Sequence, residues 1–443
     1  MGLLEKAKKS TKLTKERFKL RRRVGLFLIV LAFTVIFTSV VVAQDIVHLN
    51  FMHRWTRSPD NEFLAEIAKN FEKENPNIDV KVTAISNNPY KEKIKIVLGT
   101  DNAPDVFFTW PGEFTNRFIR EDKVLDLTKY MEDGWQGDFV PSILEPFKYN
   151  GRIYGAPYRM DGKVFVYNKE IFKEVGVKEP ENFSELIEIC KKIKEAGITP
   201  IAFGNLHSWP ISHYIGQLNA YHVPYDVYQK DLDPTTGTFE DPGYVEALND
   251  YQELVPYFNS SPNAITHNQA RANFLNGGAA MMYIEIIEVP EIMRAREDIV
   301  FQEKYNIFKM PFPEDGKGGP DYLVGYPEGF VVSSNTKHPV EAIKFLKYLT
   351  SKKVGKLEAK ETGFINGIKN VVEKGEVNDA IYNSSKLVLN TERLVNWFDS
   401  ALHSEIWAVA REELQKLTDG VTTPEKTMKK IRDKTKEVRQ ELN

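Results

Sequence analysis

Residues 151–176, GRIYGAPYRMDGKVFVYNKEIFKEVG, constrain the fold more than any other stretch of this chain. Asn150-Gly151 marks a turn, a short extended run ends at Pro157, and a polar patch follows, Tyr158-Arg159-Met160-Asp161-Gly162. Val164 to Tyr167, rich in β-branched and aromatic residues, then reads as a strand. Asn168 is placed to cap a helix that stops at Gly176. A charged, aromatic-flanked patch between two extended segments fits poorly in the middle of a core. It suits a crossing between two lobes, where the connecting strand forms the floor of a cleft. A length of 443 residues, too long for one ordinary core, supports two lobes.

Charge is distributed unevenly. Residues 1–23 hold ten Lys or Arg against Glu5 and Glu16, a surplus of eight positive charges. The whole chain carries −3, and residues 24–43 carry no charge, so the remainder carries −11. An acidic body argues against a nucleic-acid partner and suits a soluble protein with a neutral ligand. The lone Cys190 excludes an intrachain disulfide and reads as a packing residue on an apolar helical face. After the basic start, residues 24–42 are an apolar run, and Val41-Val42-Ala43 offers small residues where a signal peptidase cuts. The run is also nearly long enough to span a bilayer. Residues 1–43 are therefore expected to be a signal peptide or an N-terminal membrane anchor. Either leaves the body outside the cytoplasm, and a lipoprotein anchor is excluded because no Cys stands near the cleavage point.

Past that segment, apolar and polar residues alternate over 46–55, and Ser58-Pro59-Asp60 carries the signature of a helix start. Phe63, Leu64, Ile67, Ala68 and Phe71 follow at helical spacing. Residues 78–85 alternate as a half-buried strand does, 90–98 read as a second helix, and Val106 to Trp110 as a short buried strand. This β-α-β-α-β order predicts a parallel, doubly wound lobe whose ligand face lies at the C-terminal ends of its strands. Further on, Asn182-x-x-Glu185 is a capping box, and residues 198–203 form the next strand.

The order of these segments resembles the extracellular solute-binding proteins of ABC importers, family 1, the group that includes maltose-binding proteins. Tyr167-Asn168-Lys169 before a Phe-containing helix, with Gly176 and Pro180 after it, carries part of the likeness. Ala103-Pro104-Asp105 with two aromatic residues, Phe274 to Met282 (similar to F-x-x-G-x-A-A-M), Thr362 to Asn366 and Gly420-x-x-Thr423-Pro424-Glu425 carry the rest. The match runs from about 46 to 435. The resemblance implies two doubly wound α/β lobes of the type II periplasmic-binding-protein kind, joined by a hinge with the ligand cleft between them. The expected division is 44–160 plus about 328–372 for the first lobe, and about 161–327 plus 373–443 for the second. It also implies a periplasmic or secreted monomer that is not an enzyme and needs no cofactor. Its partners would be a mono- or oligosaccharide and the membrane permease, with membrane contact only through an uncleaved N-terminal segment.

Sugars offer apolar ring faces, which aromatic rings cover, and edge hydroxyls, which carboxylates and Arg bind. Trp55 and Trp110 sit just past strand ends, and Glu113 follows Trp110 by three residues. By the resemblance, Trp110 holds the family's stacking position, Glu113 the acid behind it, and Asp161, six residues before Tyr167, the cleft-floor acid. Arg159 is read as pointing the same way as Asp161. In the second lobe Trp209 follows a strand through a loop. Relatives commonly place Gly and Trp after the Met282 position, whereas this chain reads Tyr283-Ile284-Glu285, so Tyr283 or Glu285 is expected to replace that platform. Glu328 at the second crossing and Trp397 before the C-terminal helices complete the candidate set.

Other chemistries lack their motifs: there is no Gly-rich phosphate loop with its Lys and no HExxH. Asp231-x-Asp233-x-Thr235-x-Gly237 is read as a polar turn rather than a calcium loop, and no metal is expected. Glu and aromatic residues in a cleft would also serve an extracytoplasmic glycoside hydrolase. A membrane-anchored carbohydrate sensor is a further reading if the apolar segment is retained.

Overall fold

The structure, a computed structural model, describes residues 46–297 and 300–443, with Gly2 and residues 16–19. The expected signal or anchor segment therefore lies almost wholly outside the described residues. Among the described residues no helix is long and apolar enough to cross a membrane. Val47–Asn443 forms one compact unit.

The chain begins as the sequence pattern requires. Strand β1 (Val47–His53), helix α1 (Asp60–Glu74), β2 (Ile78–Ala84), α2 (Asn87–Val97) and β3 (Val106–Thr109) follow in order. Helix α1 buries Phe63, Leu64, Ile67, Ala68 and Phe71, the face set by their spacing. After α3 (Glu113–Arg120) the chain reaches β4 (Gly155–Arg159) and crosses to β5 (Lys163–Asn168). Asn168 caps α4 (Lys169–Val175) by accepting from the amides of Glu170 and Ile171, and Gly176 ends it in the left-handed conformation. Helix α5 (Phe183–Glu195), β6 (Thr199–Ala202), α6 (Trp209–His222), α7 (His267–Leu275), β7 (Ala279–Glu285), α8 (Glu288–Ala295), β8 (Tyr305–Phe308) and β9 (Tyr322–Val324) complete the middle of the chain. The chain then returns through β10 (Glu328–Val332), α9 (Pro339–Leu349) and α10 (Lys352–Glu361). It ends in α11 (Asp379–Leu389), β11 (Arg393–Val395), α12 (Phe398–Ala401), α13 (Ser404–Thr418) and α14 (Pro424–Leu442).

Two sheets form the two lobes. The first has the order β2-β1-β3-β10-β4, the second β8-β5-β7-β6. Strands β1, β2 and β3 pair in parallel, as the alternating order demands. Strand β10 lies antiparallel to both its neighbours, β3 and β4, because it returns from the second lobe and enters the sheet from the opposite end, whereas β4 leaves the sheet in the direction of β1–β3. The two crossings touch backbone to backbone. A Cβ on Gly325 would stand 2.4 Å from the Asp161 carbonyl oxygen and 2.5 Å from the Gly162 Cα, so only glycine fits there.

Candidate ligand-binding site

The strand ends that face the second lobe carry a concentrated set of aromatic and charged side chains. Arg54 lies one residue past β1, and its Nη2 donates to both oxygens of Glu328 at 2.6 Å. Trp110, one residue past β3, donates its indole N–H to Glu328 Oε1 at 2.9 Å. The Arg54 guanidinium lies over the rings of Trp55 at 5.0 Å, Phe108 at 5.2 Å and Trp110 at 5.6 Å. Trp110 is held edge-on by Phe108 at 4.6 Å and Phe114 at 5.0 Å. Its indole is thus fixed by packing and by a charge-assisted hydrogen bond.

The opposing wall comes from the second lobe. Trp209 opens α6, and His213 stands one helical turn further on the same face. Four rings follow one another in tilted contact: His267 lies 4.7 Å from Trp209, Trp209 lies 5.2 Å from His213, and His213 lies 4.2 Å from Trp397. His267 is itself anchored on Glu288 through Nε2 at 2.8 and 3.0 Å. The side chain of Glu285, the last residue of β7, has no hydrogen-bond donor among the described residues, and His213 Nδ1 stands 4.0 Å from it. That approach is not an ion pair. Burial, with Lys163 next, holds the His213 imidazole well below its ordinary range and therefore neutral. Burial, opposed by Lys163, pushes the Glu285 carboxyl up to about 7.

The lobes meet around these groups. Lys91 on α2 donates to Asp399 on α12 at 3.1 Å, and Asp399 also accepts from Ser212 at 3.0 Å. Asn396 donates to the Pro111 carbonyl at 3.4 Å, and its amide stands where a Cβ on Gly112 (φ 90°) would fall. The cavity between the two walls is lined by Arg54, Asn87, Lys91, Trp110, Trp209, His213, Glu285, Glu328, Trp397, Asp399 and Ser400, and holds only about 40 Å³. That is room for a few waters rather than a sugar ring. It continues, past Lys91, Trp209, Asp399 and Ser400, into a hollow of about 560 Å³ that also touches Phe114, Arg117 and Trp407. A second hollow of about 820 Å³ lies beside Asn396, with Tyr149, Tyr225, Tyr326 and Arg393 in its walls.

Of the residues singled out in the sequence, the structure brings Trp110, Trp209, Glu285, Glu328 and Trp397 together around this cavity. Glu113 lies to one side, in the walls of both larger hollows and bound to the Arg120 guanidinium. Asp161 is 1% exposed and does not line the cavity; its Oδ1 accepts from Gly162 N at 2.8 Å and Ile287 N at 3.4 Å, and its Oδ2 has no partner. Burial, then the acids Glu285 and Glu328, raise its carboxyl well above the usual carboxylate range.

Three expected residues lie elsewhere. Trp55 is packed in the first-lobe core, 4.9 Å from Phe108 and 5.7 Å from Tyr158, under the Arg159 guanidinium at 4.2 Å. Arg159 is fully buried and binds Asp60 at 2.9 Å and Glu358 at 2.7 Å, so it is not a cleft residue. The alternation that placed Arg159 and Asp161 on one side holds only within a strand, and β4 ends at Arg159. Tyr283 shares a face of β7 with Glu285 but sits two residues deeper, covered by Phe165 at 4.8 Å and Tyr214 at 4.7 Å.

Arg54, Asn87, Lys91, His213, Asp399 and Ser400 line the cavity without having been singled out. Two had a readable signal: Arg54 immediately follows a strand, and His213 stands four residues after Trp209 on one helix. Asp231 and Asp233 spend their carboxylates within the chain, accepting from Thr238 N and Thr235 N, both at 2.8 Å, and, for Asp231, from the Tyr244 hydroxyl at 3.0 Å. Among the described residues no cluster of three or more His, Cys, Asp or Glu side chains is arranged to hold a metal.

A crevice between two α/β lobes, entered by strand ends from both, defines a two-lobe binding protein of the type II periplasmic kind. Residues 56–356 match the bacterial extracellular solute-binding protein family, and the chain belongs to that family. An uncharacterized ABC transporter extracellular-binding protein of Pyrococcus horikoshii is 26% identical over 251 residues, 55% of this chain and 56% of that relative. The match thus spans about half of that protein's length. The multiple sugar-binding protein of Streptococcus mutans is 26% identical over 299 residues, 65% of this chain and 68% of its own. A solved structure from work on xylan utilization by the thermophilic bacterium Caldanaerobius polysaccharolyticus superposes with a TM-score of 0.81 at 28% identity, covering 88% of this chain and all of that one. A chitin oligosaccharide binding protein superposes equally, TM-score 0.81, at 20% identity over 89% of this chain and 100% of its own, a likeness of fold alone.

Proposed function

We propose that this chain is the extracytoplasmic solute-binding component of an ABC importer, holding a mono- or oligosaccharide between its lobes and presenting it to the membrane permease. One observation carries the reading: indoles and acids from both sheets converge on one cavity, with Trp110 and Glu328 from the first lobe and Trp209, Glu285 and Trp397 from the second. Indoles suit the C–H faces of a sugar ring, and the Arg54–Glu328 pair and Glu285 suit its hydroxyls. Binding relatives and structural neighbours named for sugars, xylan utilization and chitin oligosaccharides support the same class. The proposed ligand contacts are these five with Arg54, Lys91 and His213; Glu113 and Asp161 stand behind them, and Trp55, Arg159 and Tyr283 shape the walls.

The mechanism is closure about the crossings at 160–162 and 325–327. A ligand touching both walls favours the closed state by the contacts that the open state lacks. The lobes divide as the sequence suggests, near 160, 327 and 372, residues 1–43 serve as signal or anchor, and the protein acts as a monomer without catalysis. Hydrolysis would need a free acid opposite a free carboxylate, and Glu328 is already bound by Arg54 and Trp110. Intrinsic Trp fluorescence titrated with xylobiose, xylotriose, cellobiose, maltose and N,N′-diacetylchitobiose tests the reading. A saturable change with at least one saccharide is expected. Reducing-end release during the same incubations would overturn it in favour of an enzyme.

A further inference from the structure

The polar groups of the cavity divide into two sets. Although the Arg54 Nε and the Asn87 Oδ1 have no partner among the described residues, the Arg54 Nη2, Glu328 and the Trp110 N–H bond one another, and Lys91, Asp399 and Ser212 do the same. Glu285 and His213 do not. The His213 Nδ1 is buried without a hydrogen-bond partner among the described residues, in a residue only 4% exposed that lines the cavity. The Glu285 carboxylate faces the same space, 4.0 Å away. A buried polar atom left unpaired costs stability, so its retention points to a partner that arrives from outside.

The geometry of the pair is selective. An oxygen about 2.8 Å from each group, an ordinary hydrogen-bond distance, would see the two at an angle of about 90°, since they are 4.0 Å apart. An sp³ hydroxyl meets that angle and supplies what both need: one donated proton for the acceptor-only carboxylate and a lone pair for the imidazole N–H. An ammonium group supplies no lone pair, and the cation Lys163 already lies 5.3 Å from the Trp209 ring beside this corner.

We propose that Glu285 and His213 are the specificity-determining pair of this protein and together read one hydroxyl of the bound saccharide. The inference rests on the reading of the cleft as a saccharide site. The stack adds a constraint: His213 is clamped between Trp209 and Trp397, so its nitrogen is delivered at a fixed height between the two indoles. Preorganised in this way, the pair accepts a ring with its hydroxyl in place and rejects one without it, because removal strands both groups. Burial pushes Glu285 up to about 7, which leaves the carboxyl able to accept at neutral pH and above.

Isothermal titration calorimetry with the tightest binder among xylobiose, xylotriose, cellobiose and maltose, and with each of its monodeoxy forms, tests this on the full mature chain. In the unaltered protein, one deoxy position should weaken binding about 100-fold or more. In Glu285→Gln the parent sugar should bind about 10-fold or more weakly, and that deoxy form should lose little further, the signature of a direct pair. His213→Phe keeps a ring in the stack and removes the nitrogens, and should also weaken the parent sugar about 10-fold. Glu285→Gln binding as tightly as the unaltered protein, deoxy losses identical in both, or preference for glucosamine over glucose would overturn the inference while leaving saccharide binding intact. Failure of the unaltered protein to bind any of the saccharides would overturn both. The deoxy series on the unaltered protein keeps the test valid if either variant folds poorly.

Discussion

Arg159 and Asp161 stand two residues apart, and each belongs to a buried charged cluster with a different outcome. In the first-lobe core, Arg159 touches carboxylates on both sides, Asp60 at 2.9 Å and Glu358 at 2.7 Å, with Phe364 at 3.8 Å and Trp55 at 4.2 Å against its faces. Only Nη1 of Arg159 and Oε2 of Glu358 are left over. At the cleft, Glu285 and the His213 Nδ1 stand 4.0 Å apart without a hydrogen bond, and the Oδ2 of Asp161, behind the cavity, has no partner among the described residues. A cluster whose acids share a cation within the chain ties helices α1 and α10 to strand β4. A cluster whose groups are unmatched lowers stability, and the proposed saccharide hydroxyl would satisfy two of them.

The largest effect expected from this contrast is in the matched cluster. Arg159→Ala leaves Asp60 and Glu358 buried without their cation and should cost about 3–5 kcal/mol in denaturant unfolding. Replacing all three together, Asp60→Asn, Arg159→Met and Glu358→Gln, should recover most of that loss, because no charge is then stranded. A triple variant as unstable as Arg159→Ala would break the comparison by showing that packing, and not charge matching, makes the first cluster.

The unmatched cluster should respond with the opposite sign. Glu285 has an ordinary carboxyl in the unfolded chain and one pushed up to about 7 in the fold. Between about 4.5 and 7 the native state therefore holds a proton that the unfolded state has released, and stability falls as pH rises through that window. Glu285→Gln cannot ionise. It should match the unaltered protein below pH 4.5 and exceed it by up to about 3 kcal/mol above pH 7, read as a rise in Tm. Equal stability of the two at pH 8 would mean that Glu285 is already satisfied.

How far the sequence reveals these differences depends on what each signal measures. Periodicity places secondary structure well: the helix expected from the spacing of Phe63 to Phe71 runs Asp60–Glu74, and Asn182 caps α5 by accepting from Glu185 N at 2.8 Å. The crossing at 151–176 is equally legible, because a turn, a capped helix and a β-rich run each leave a local mark. The reversed arm β10 leaves no local mark, since strand direction depends on where a distant segment returns. The site is legible only in part. A strand end followed by Trp found Trp110, but the same rule named Trp55, whose ring turns inward under Arg159. Lys91 and Asp399 are 308 residues apart and look like ordinary surface charges until the lobes close on them.

That cross-lobe pair gives the smallest effect and the sharpest test of the division between matched and unmatched groups. Lys91 and Asp399 are matched like Arg159, but their bond spans the cleft instead of the interior of one lobe. The Lys91 side chain keeps 23% of its exposure, so water screens the pair and its contribution to folding should be at most about 1 kcal/mol. Its effect should fall instead on the balance between open and closed lobes. Losing even half of that energy shifts a two-state equilibrium two- to threefold, enough to enlarge the mean dimension in small-angle scattering without saccharide. Lys91→Met should therefore leave Tm nearly unchanged, expand the free protein and weaken binding a few-fold, while the saturated complex keeps the compact dimension. A Lys91→Met protein as compact as the unaltered one would place closure under the control of the indoles and Asn396 instead.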